Sequence, residues 1–428
     1  MATNPTMGMF IVKSFVAIDE QFNHTTNLSC ETCRPGVSIE VFFLAMHPPR
    51  PSKLFVRSVP DLGDSAFDEK PIVMAMVDDF FLIRVVMAFP RRLVTWEQKY
   101  DDYIYNPNRG ILTRIPHPDG RIFYPGQVGL LPRGDQYTVA ALVSKASPFI
   151  YELHLFKSEA RSWKSKRLRV DPMLRKFPVS IPKNSSDIFH HTPSSVITLG
   201  GKSGTMGWVD LWRDILLCDL LEPSPVLRTV PLPLPMKQIL SNEGRGAVLG
   251  FPKACRGIAY IEAERCLKFV EIQFDPSFDV DKTGPQIEKK VGWSVVISIN
   301  TKMTNSWDDW DREVKVEAKD IKISSGCPRL ISELHSHDDV AVAEPALQDF
   351  CVFQPGLSFD NQQVVYLLTS GEFRGDKTWV LALDLKNKTL VDVAEFDNET
   401  PLFSPVVYCH GSLSLFKPTS QGSAFLKI

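Results

Sequence analysis

The sequence predicts an all-β protein, a β-propeller-like ring of antiparallel meander blades, six or seven in number. Three observations predict it. Apolar residues alternate with polar ones or come in short β-branched and aromatic runs, the pattern of strands. The runs come in threes, joined by turns rich in Pro, Gly, Asn and Asp. A helical stripe is nearly absent, with only Pro235 to Asn242 suited to a short helical turn. The competing architecture is two β-sandwich-like domains dividing near residues 185 to 205.

Taken in order, residues 1–9 read as a tail and 10–428 as one propeller-like domain. Phe10 to Val16 is a strand expected to pair with Val406 to Tyr408 and Leu413 to Phe416, closing a ring and removing free edges. Ile39 to Leu44 and Leu54 to Val59 flank the turn His47-Pro48-Pro49-Arg50-Pro51. Leu82 to Phe89, Tyr103 to Asn106 and Ile111 to Ile115 form a trio with a turn at Asn106 to Gly110. Val139 to Val143, Tyr151 to Phe156 and Ser162 to Leu168 form the next.

The cleanest unit is Gly204 to Pro235. Val209-Asp210-Leu211-Trp212 alternates, Arg213-Asp214 suits a two-residue hairpin turn, and Ile215 to Cys218 returns as a second strand. Glu222-Pro223-Ser224-Pro225 turns the chain again into Val226 to Val230, and Pro231, Pro233 and Pro235 stop the pairing. Beyond it come the hairpin of Ala259 to Glu262 and Leu267 to Phe274, then the trio Val364 to Thr369, Trp379 to Leu385 and Leu390 to Glu395. The main turns recur roughly every 50 to 85 residues, a spacing suited to blades with loop insertions.

Gly207-Trp208-Val209-Asp210-Leu211-Trp212-Arg213, Ile215-Leu216-Leu217-Cys218-Asp219 and Val230-Pro231-Leu232-Pro233 resemble the signature of a grass-expanded plant family catalogued as domain of unknown function 1618. Segments 39–43, 129–132 and 151–156, Trp163, 256–258 and 267–272 extend the resemblance over most of residues 10–300. The family pattern often places glycine after the motif arginine, where this chain has Asp214, so a less tight hairpin is implied. The resemblance implies similarity to F-box-associated β-propeller proteins and no chemistry. No F-box-like helical segment precedes residue 39.

Bulk composition narrows the function classes. A formal charge of −2 argues against a surface built mainly for phosphate, so nucleic acid is not the expected partner. The longest apolar stretch, Ile72 to Phe89, is broken by Asp78, Asp79 and Arg84, so no membrane span is expected. The first residues lack the basic and long apolar regions of a secretory signal. Eight cysteines in 428 residues are not a disulfide framework; Cys218, Cys266, Cys351 and Cys409 sit in apolar runs as buried thiols, consistent with the cytosol or nucleus.

No catalytic, cofactor or metal constellation is complete. Cys30-Glu31-Thr32-Cys33 has redox or zinc spacing, but Pro35-Gly36 follows where a helix is needed and no second close pair exists. Gly200-Gly201-Lys202-Ser203-Gly204-Thr205 lacks the first glycine of a phosphate loop and a following helix, and Thr205 spoils a serine elbow. His335-Ser336-His337-Asp338-Asp339 and His190-His191 read as loops. Asp308, Asp309, Asp311 and Glu313 alternate with Trp307 and Trp310 as a surface strand would, without a calcium-loop glycine.

Two candidates remain. Trp208, Asp210 and Trp212 share one strand face and, with Arg213, form a candidate partner-binding patch of the residue types that dominate binding hot spots. Lys164, Lys166, Arg167 and Arg169 form a basic patch, read either as protection of an edge strand or as a nuclear or nucleic-acid contact. The leading expectation is a non-enzymatic protein–protein interaction module. A ligand-binding or hydrolytic site at a propeller axis is the second reading, and a nuclear or nucleic-acid role the third.

Overall fold

A computed structural model describes residues 7–16, 28–89, 100–118, 121–145, 147, 149–171, 177–178, 189–235, 250–274, 292–324, 347–359, 363–370, 378–397 and 407–412. Among these residues the chain is all-β, with short 3-10 turns and no α-helix. Pro235 itself is irregular, and 236–242, where a helical turn was expected, lie outside the described residues.

The unit of construction is a meander of four antiparallel strands, the form of a propeller blade. The first of five such meanders is β5 (Phe67–Asp78), β6 (Phe80–Met87), β7 (Tyr100–Asn106) and β8 (Ile111–Ile115). The second is β9 (Val128–Arg133), β10 (Gln136–Ser144), β11 (Ile150–Lys157) and β12 (Ser162–Arg169). The third holds β13 (Ser195–Gly200), β14 (Thr205–Asp210), β15 (Asp214–Asp219) and β16 (Leu227–Pro231). The fourth is β17 (Arg256–Ile261), β18 (Cys266–Phe274), β19 (Trp293–Asn300) and β20 (Asp311–Glu317). After the two-residue β21 (Lys322–Ile323), the fifth is β22 (Cys351–Leu357), β23 (Val364–Ser370), β24 (Thr378–Asp384) and β25 (Thr389–Asp397).

A sixth set joins β1 (Met7–Val16), β2 (Leu28–Glu31), β3 (Ser38–Leu44) and β4 (Ser52–Val59) in the order β2-β3-β4-β1, and β26 (Val407–Ser412) links it to β5. The pairing of β1 with β26 is antiparallel, with Phe10 opposite Cys409, as the sequence predicts for Phe10 to Val16 and the C-terminal run. β1 runs parallel to β4, and β26 parallel to β5. Strand β1 begins at Met7, within the expected tail, and Leu413 to Phe416 lie outside the described residues.

Each predicted trio therefore has a fourth strand. β5, β9, β13 and β22 complete the trios, and β19 and β20 complete the predicted hairpin. Four of these strands carry breakers or border glycines: Pro71 in β5, Pro132 in β9, Gly200 at the end of β13, and Gln354-Pro355-Gly356 in β22. At the last of these the register against β23 shifts between Phe353 and Gly356, and Gln354 has φ +48°.

The chain divides into two compact units, one of Met1–Val143, Leu153–Lys166 and Val406–Ile428, the other of Ser144–Glu152 and Arg167–Pro405. Among the described residues of the first, two apolar cores stand out. Phe10, Ile39, Val41, Phe43, Val56 and Phe81 centre one; Phe80, Leu82, Ile104, Leu130, Val139 and Phe156 centre the other. The second unit is held by Val209, Ile215, Leu217, Val230 and Phe269 around the signature, and by a larger core including Val270, Trp293, Val295, Leu367 and Leu381.

Candidate functional site

The signature region is built by a turn that the alternating pattern conceals. In the second unit Asp210 pairs with Asp214, so Leu211, Trp212 and Arg213 form a three-residue loop between β14 and β15. Asp210 ends the strand itself: its Oδ1 accepts the Trp212 N–H at 3.0 Å, and its carbonyl accepts the Arg213 N–H at 2.9 Å. An aspartate that bonds its own backbone two residues on is a turn-former. The expected two-residue turn at Arg213-Asp214 is thus corrected to a three-residue loop that begins two positions earlier and ends one position earlier. Trp212 does not share a strand face with Trp208.

Asp210 also gathers the chain that leads into β13. Its Oδ2 accepts the Thr192 N–H at 2.8 Å, while Asp214 Oδ1 stands 2.6 Å from Nδ1 of His191. His191, expected in a loop with His190, is buried there; His190 is exposed. The His191 and Tyr151 rings meet edge to face at 6.2 Å between centroids. Its Nε2 is buried and has no hydrogen-bond partner. Arg213 donates from Nε to Asp214 Oδ2 at 3.2 Å and lies over the Phe177 ring. Burial, the largest cause, raises the Asp210 carboxyl to about 6, against the opposing pull of His191 and the two backbone N–H groups.

Trp208, Asp210, Trp212 and Arg213 are all buried. As side chains they are packed inside the unit rather than displayed to a partner. Their work is positional. The Trp212 indole N–H donates to the Gly250 carbonyl at 3.1 Å, and Gly250 takes φ +67°, a conformation open to glycine. On the other side of Phe251, Arg256 is fixed by Glu271, directly opposite on β18, with Nε to Oε1 at 2.8 Å. Arg256 Nη1 donates to the carbonyls of Leu211 and Pro233, both at 3.0 Å. Phe251 thus stands between two anchored points. Pro252 begins a 3-10 turn immediately after it, and the Phe251 ring is 71% exposed. In the first unit Tyr124 has the same local sequence setting: an exposed aromatic, then Pro125 opening a 3-10 turn that leads into β9.

Sequence reasoning missed Phe251 and Tyr124. The available signal was an aromatic-proline pair just ahead of a strand, since proline favours the first turn position.

Residues 208–366 match the family described as "Protein of unknown function (DUF1618)". The DUF1618 segment begins at Trp208 and takes in Trp212, Phe251 and Arg256, so the anchored turn is wholly inside it. It extends past residue 300 and excludes the earlier segments at 39–43, 129–132 and 151–156 on which the resemblance was also read. No curated protein matches the chain. Among solved structures, the chain is similar to the WD40 domain of SCAP from fission yeast, at 9% identity over 86% of this chain and 68% of that one, with a TM-score of 0.26. It is also similar to a Penicillium chrysogenum alpha-L-arabinanase complexed with arabinobiose, at 11% identity over 74% and 90% of the two chains, with a TM-score of 0.27.

The other motifs resolve into local structure. Cys33 lies in the turn after β2, its N–H donating to Asp101 Oδ2 at 2.5 Å; burial and Asp101 push its thiol up to about 12. Gly200 to Gly204 is the β13–β14 hairpin turn. Trp307 to Asp309 is a 3-10 turn and not a surface strand, while Asp311 and Glu313 are exposed on β20 as expected; buried Asp309 accepts from Thr304 N and Oγ1, and the Trp310 indole donates to the Pro231 carbonyl at 2.6 Å. Cys218 and Cys266 are buried as expected, while Cys351 is only half-buried. His335 to Asp339 lie outside the described residues. No group of three or more metal-ligating side chains occurs among the described residues. Lys164, Lys166, Arg167 and Arg169 are all exposed on β12, the last strand of its sheet.

Proposed function

We propose that this chain is a non-enzymatic protein–protein interaction module of the cytosol or nucleus, and that the turn bearing Phe251 is its principal contact. One observation carries the reading: a large aromatic ring is held out on a turn whose two ends are fixed by Trp212 and Arg256. Ordering a contact residue before binding removes part of the entropic cost of association, and aromatic side chains dominate interface energetics. The buried signature residues then serve the contact from beneath. The resemblance of the signature to F-box-associated propeller proteins agrees with a protein as the partner.

The test is position-specific photo-crosslinking in cells, with a benzophenone amino acid at position 251 or at 226. Val226 is a comparably exposed apolar residue in the β15–β16 connection. A discrete adduct from position 251 that is absent from 226 is the expected result. The same adducts from both, or none from 251, would remove the proposal.

A further inference from the structure

We propose that the buried cluster of His191, Asp210 and Asp214 is a proton-operated latch that sets how firmly the Trp212 loop is tied to the chain entering β13. The latch is read on the loop alone and stands whether or not Phe251 meets a partner.

Asp210 spends one oxygen on the Trp212 N–H and the other on the Thr192 N–H, so one carboxylate ties the loop to the chain entering β13, beside the His191–Asp214 contact, the bonds of Ser194 to the Val209 carbonyl and the β13–β14 pairing. An ionised carboxylate accepts at both oxygens; a protonated one carries a hydroxyl on one of them, which is a poor acceptor for an N–H. Taking up one proton therefore weakens one of the two bonds and leaves a backbone N–H short of a partner in a buried place.

The groups that face this carboxylate are titratable or charged on every side. From the chain ahead of β13 comes His191, from β15 comes Asp214, and from the loop itself comes Arg213. β11 contributes the Tyr151 ring, which meets His191 edge to face. His191 engages Asp214 through Nδ1, and its buried Nε2 lacks a partner. Burial raises Asp210 towards neutrality, His191 and the two N–H groups lower it, and Asp214 raises it further. The proton that matters therefore exchanges on Asp210 near pH 6.

The consequence passes along Trp212. Its backbone N–H is held by Asp210 and its indole N–H holds the Gly250 carbonyl, so a looser loop is felt at the turn before Phe251.

The experiment is an NMR pH series from 5 to 8 on full-length protein labelled with deuterium and nitrogen-15. It follows the backbone amides of Thr192 and Trp212 and the Trp212 indole. All three resonances are expected to move together with one midpoint near 6, and to be flat in Asp210→Asn. His191→Gln removes the group that opposes protonation of Asp210, so its midpoint should move to higher pH. The wild-type series alone decides the matter if Asp210→Asn does not fold: three flat curves, or separate midpoints for Thr192 and Trp212, overturn the latch. So does a titration that survives in Asp210→Asn. A positive series with no crosslink at position 251 keeps the latch and rejects the partner.

Discussion

The guanidinium carbon of Arg256 lies 4.7 Å from the centroid of the Trp212 ring. The same carbon lies 5.2 Å from the centroid of the Phe269 ring, so the cation is over two aromatic faces while its N–H groups bond Glu271 and two backbone carbonyls. Arg256 is 1% exposed, and a buried guanidinium is tolerated only when paired in this way. Arg256→Ala should therefore leave Glu271 and the Leu211 and Pro233 carbonyls without their partner, costing about 3 to 5 kcal/mol. Arg256→Lys keeps the charge and loses the planar fork, so its loss should be smaller but clear. Urea midpoints of the two variants test this, and a lysine variant as stable as wild type would show that charge alone suffices.

Two glycines separate steric need from backbone freedom. A Cβ on Gly207 in β14 would come within 2.9 Å of side-chain atoms of Ile215 and Leu217, which can yield. A Cβ on Gly257 in β17 would collide with the backbone carbonyl of Pro355, which belongs to a strand and cannot yield cheaply. Gly207→Ala should cost about 1 to 3 kcal/mol as ordinary overpacking. Gly257→Ala should cost more, and thermal melts of the pair give the order directly.

Much of this architecture was legible in period-2 apolar runs and their turn residues. The strands around Leu82, Val139, Ile215, Phe269 and Leu381 carry β-branched and aromatic residues that bury on formation. The signature loop was not legible, because Val209-Asp210-Leu211-Trp212 continues the alternation while Asp210 bonds Trp212 and stops the strand. Period 2 records which residues are apolar and says nothing about which aspartate turns back on its own backbone. His191 was hidden for a different reason. Its partner Asp214 lies 23 positions away, and the β13–β14 and β14–β15 pairings bring the two together.

Cys33 gives a chemical check on the first unit. Its thiol is pushed up to about 12, chiefly by burial, then by the charge and hydrogen bond of Asp101, with Arg114 opposing. Because the thiolate is the reactive form, alkylation of Cys33 at pH 8 should be slower than that of an ordinary exposed thiol by roughly a thousandfold. Timed iodoacetamide labelling read by peptide mass spectrometry measures it. Labelling at the rate of the urea-unfolded chain would contradict the burial described for this turn.

Strand β12 ends its sheet, and its side chains at Lys164, Lys166, Arg167 and Arg169 are exposed. Charged side chains on such a strand discourage pairing with a second chain. Lys164→Val with Lys166→Val should leave the unfolding midpoint within about 0.5 kcal/mol of wild type, as surface changes do, while raising aggregation on storage. Light scattering over days at matched concentration tests it. If the double variant stays monodisperse, the cations do not protect this edge, and their role in contacting an anionic partner gains weight.

Asp210 makes the stability of the second unit depend on pH, and the direction follows from its shift. Burial lifts its carboxyl from the ordinary range to about 6, so the folded chain holds the proton more tightly than the unfolded chain does. The contribution to stability is therefore fully present below the ordinary carboxylate value and is lost as pH rises through about 6: relief from burying a charge outweighs the one N–H bond that the protonated acid weakens. A shift of this size corresponds to roughly 3 kcal/mol between the two limits, at about 1.4 kcal/mol for each pH unit. Asp210→Asn cannot ionise, so it should lack this decline; like the protonated acid its amide accepts at one oxygen, so the two chains should be close in stability near pH 4 and the variant the more stable by pH 7.5. Urea midpoints across that interval read the difference. A wild type that gains on Asp210→Asn as pH rises would mean that Asp210 is stabilised as the anion, and that its two backbone donors and His191 outweigh the cost of burying it.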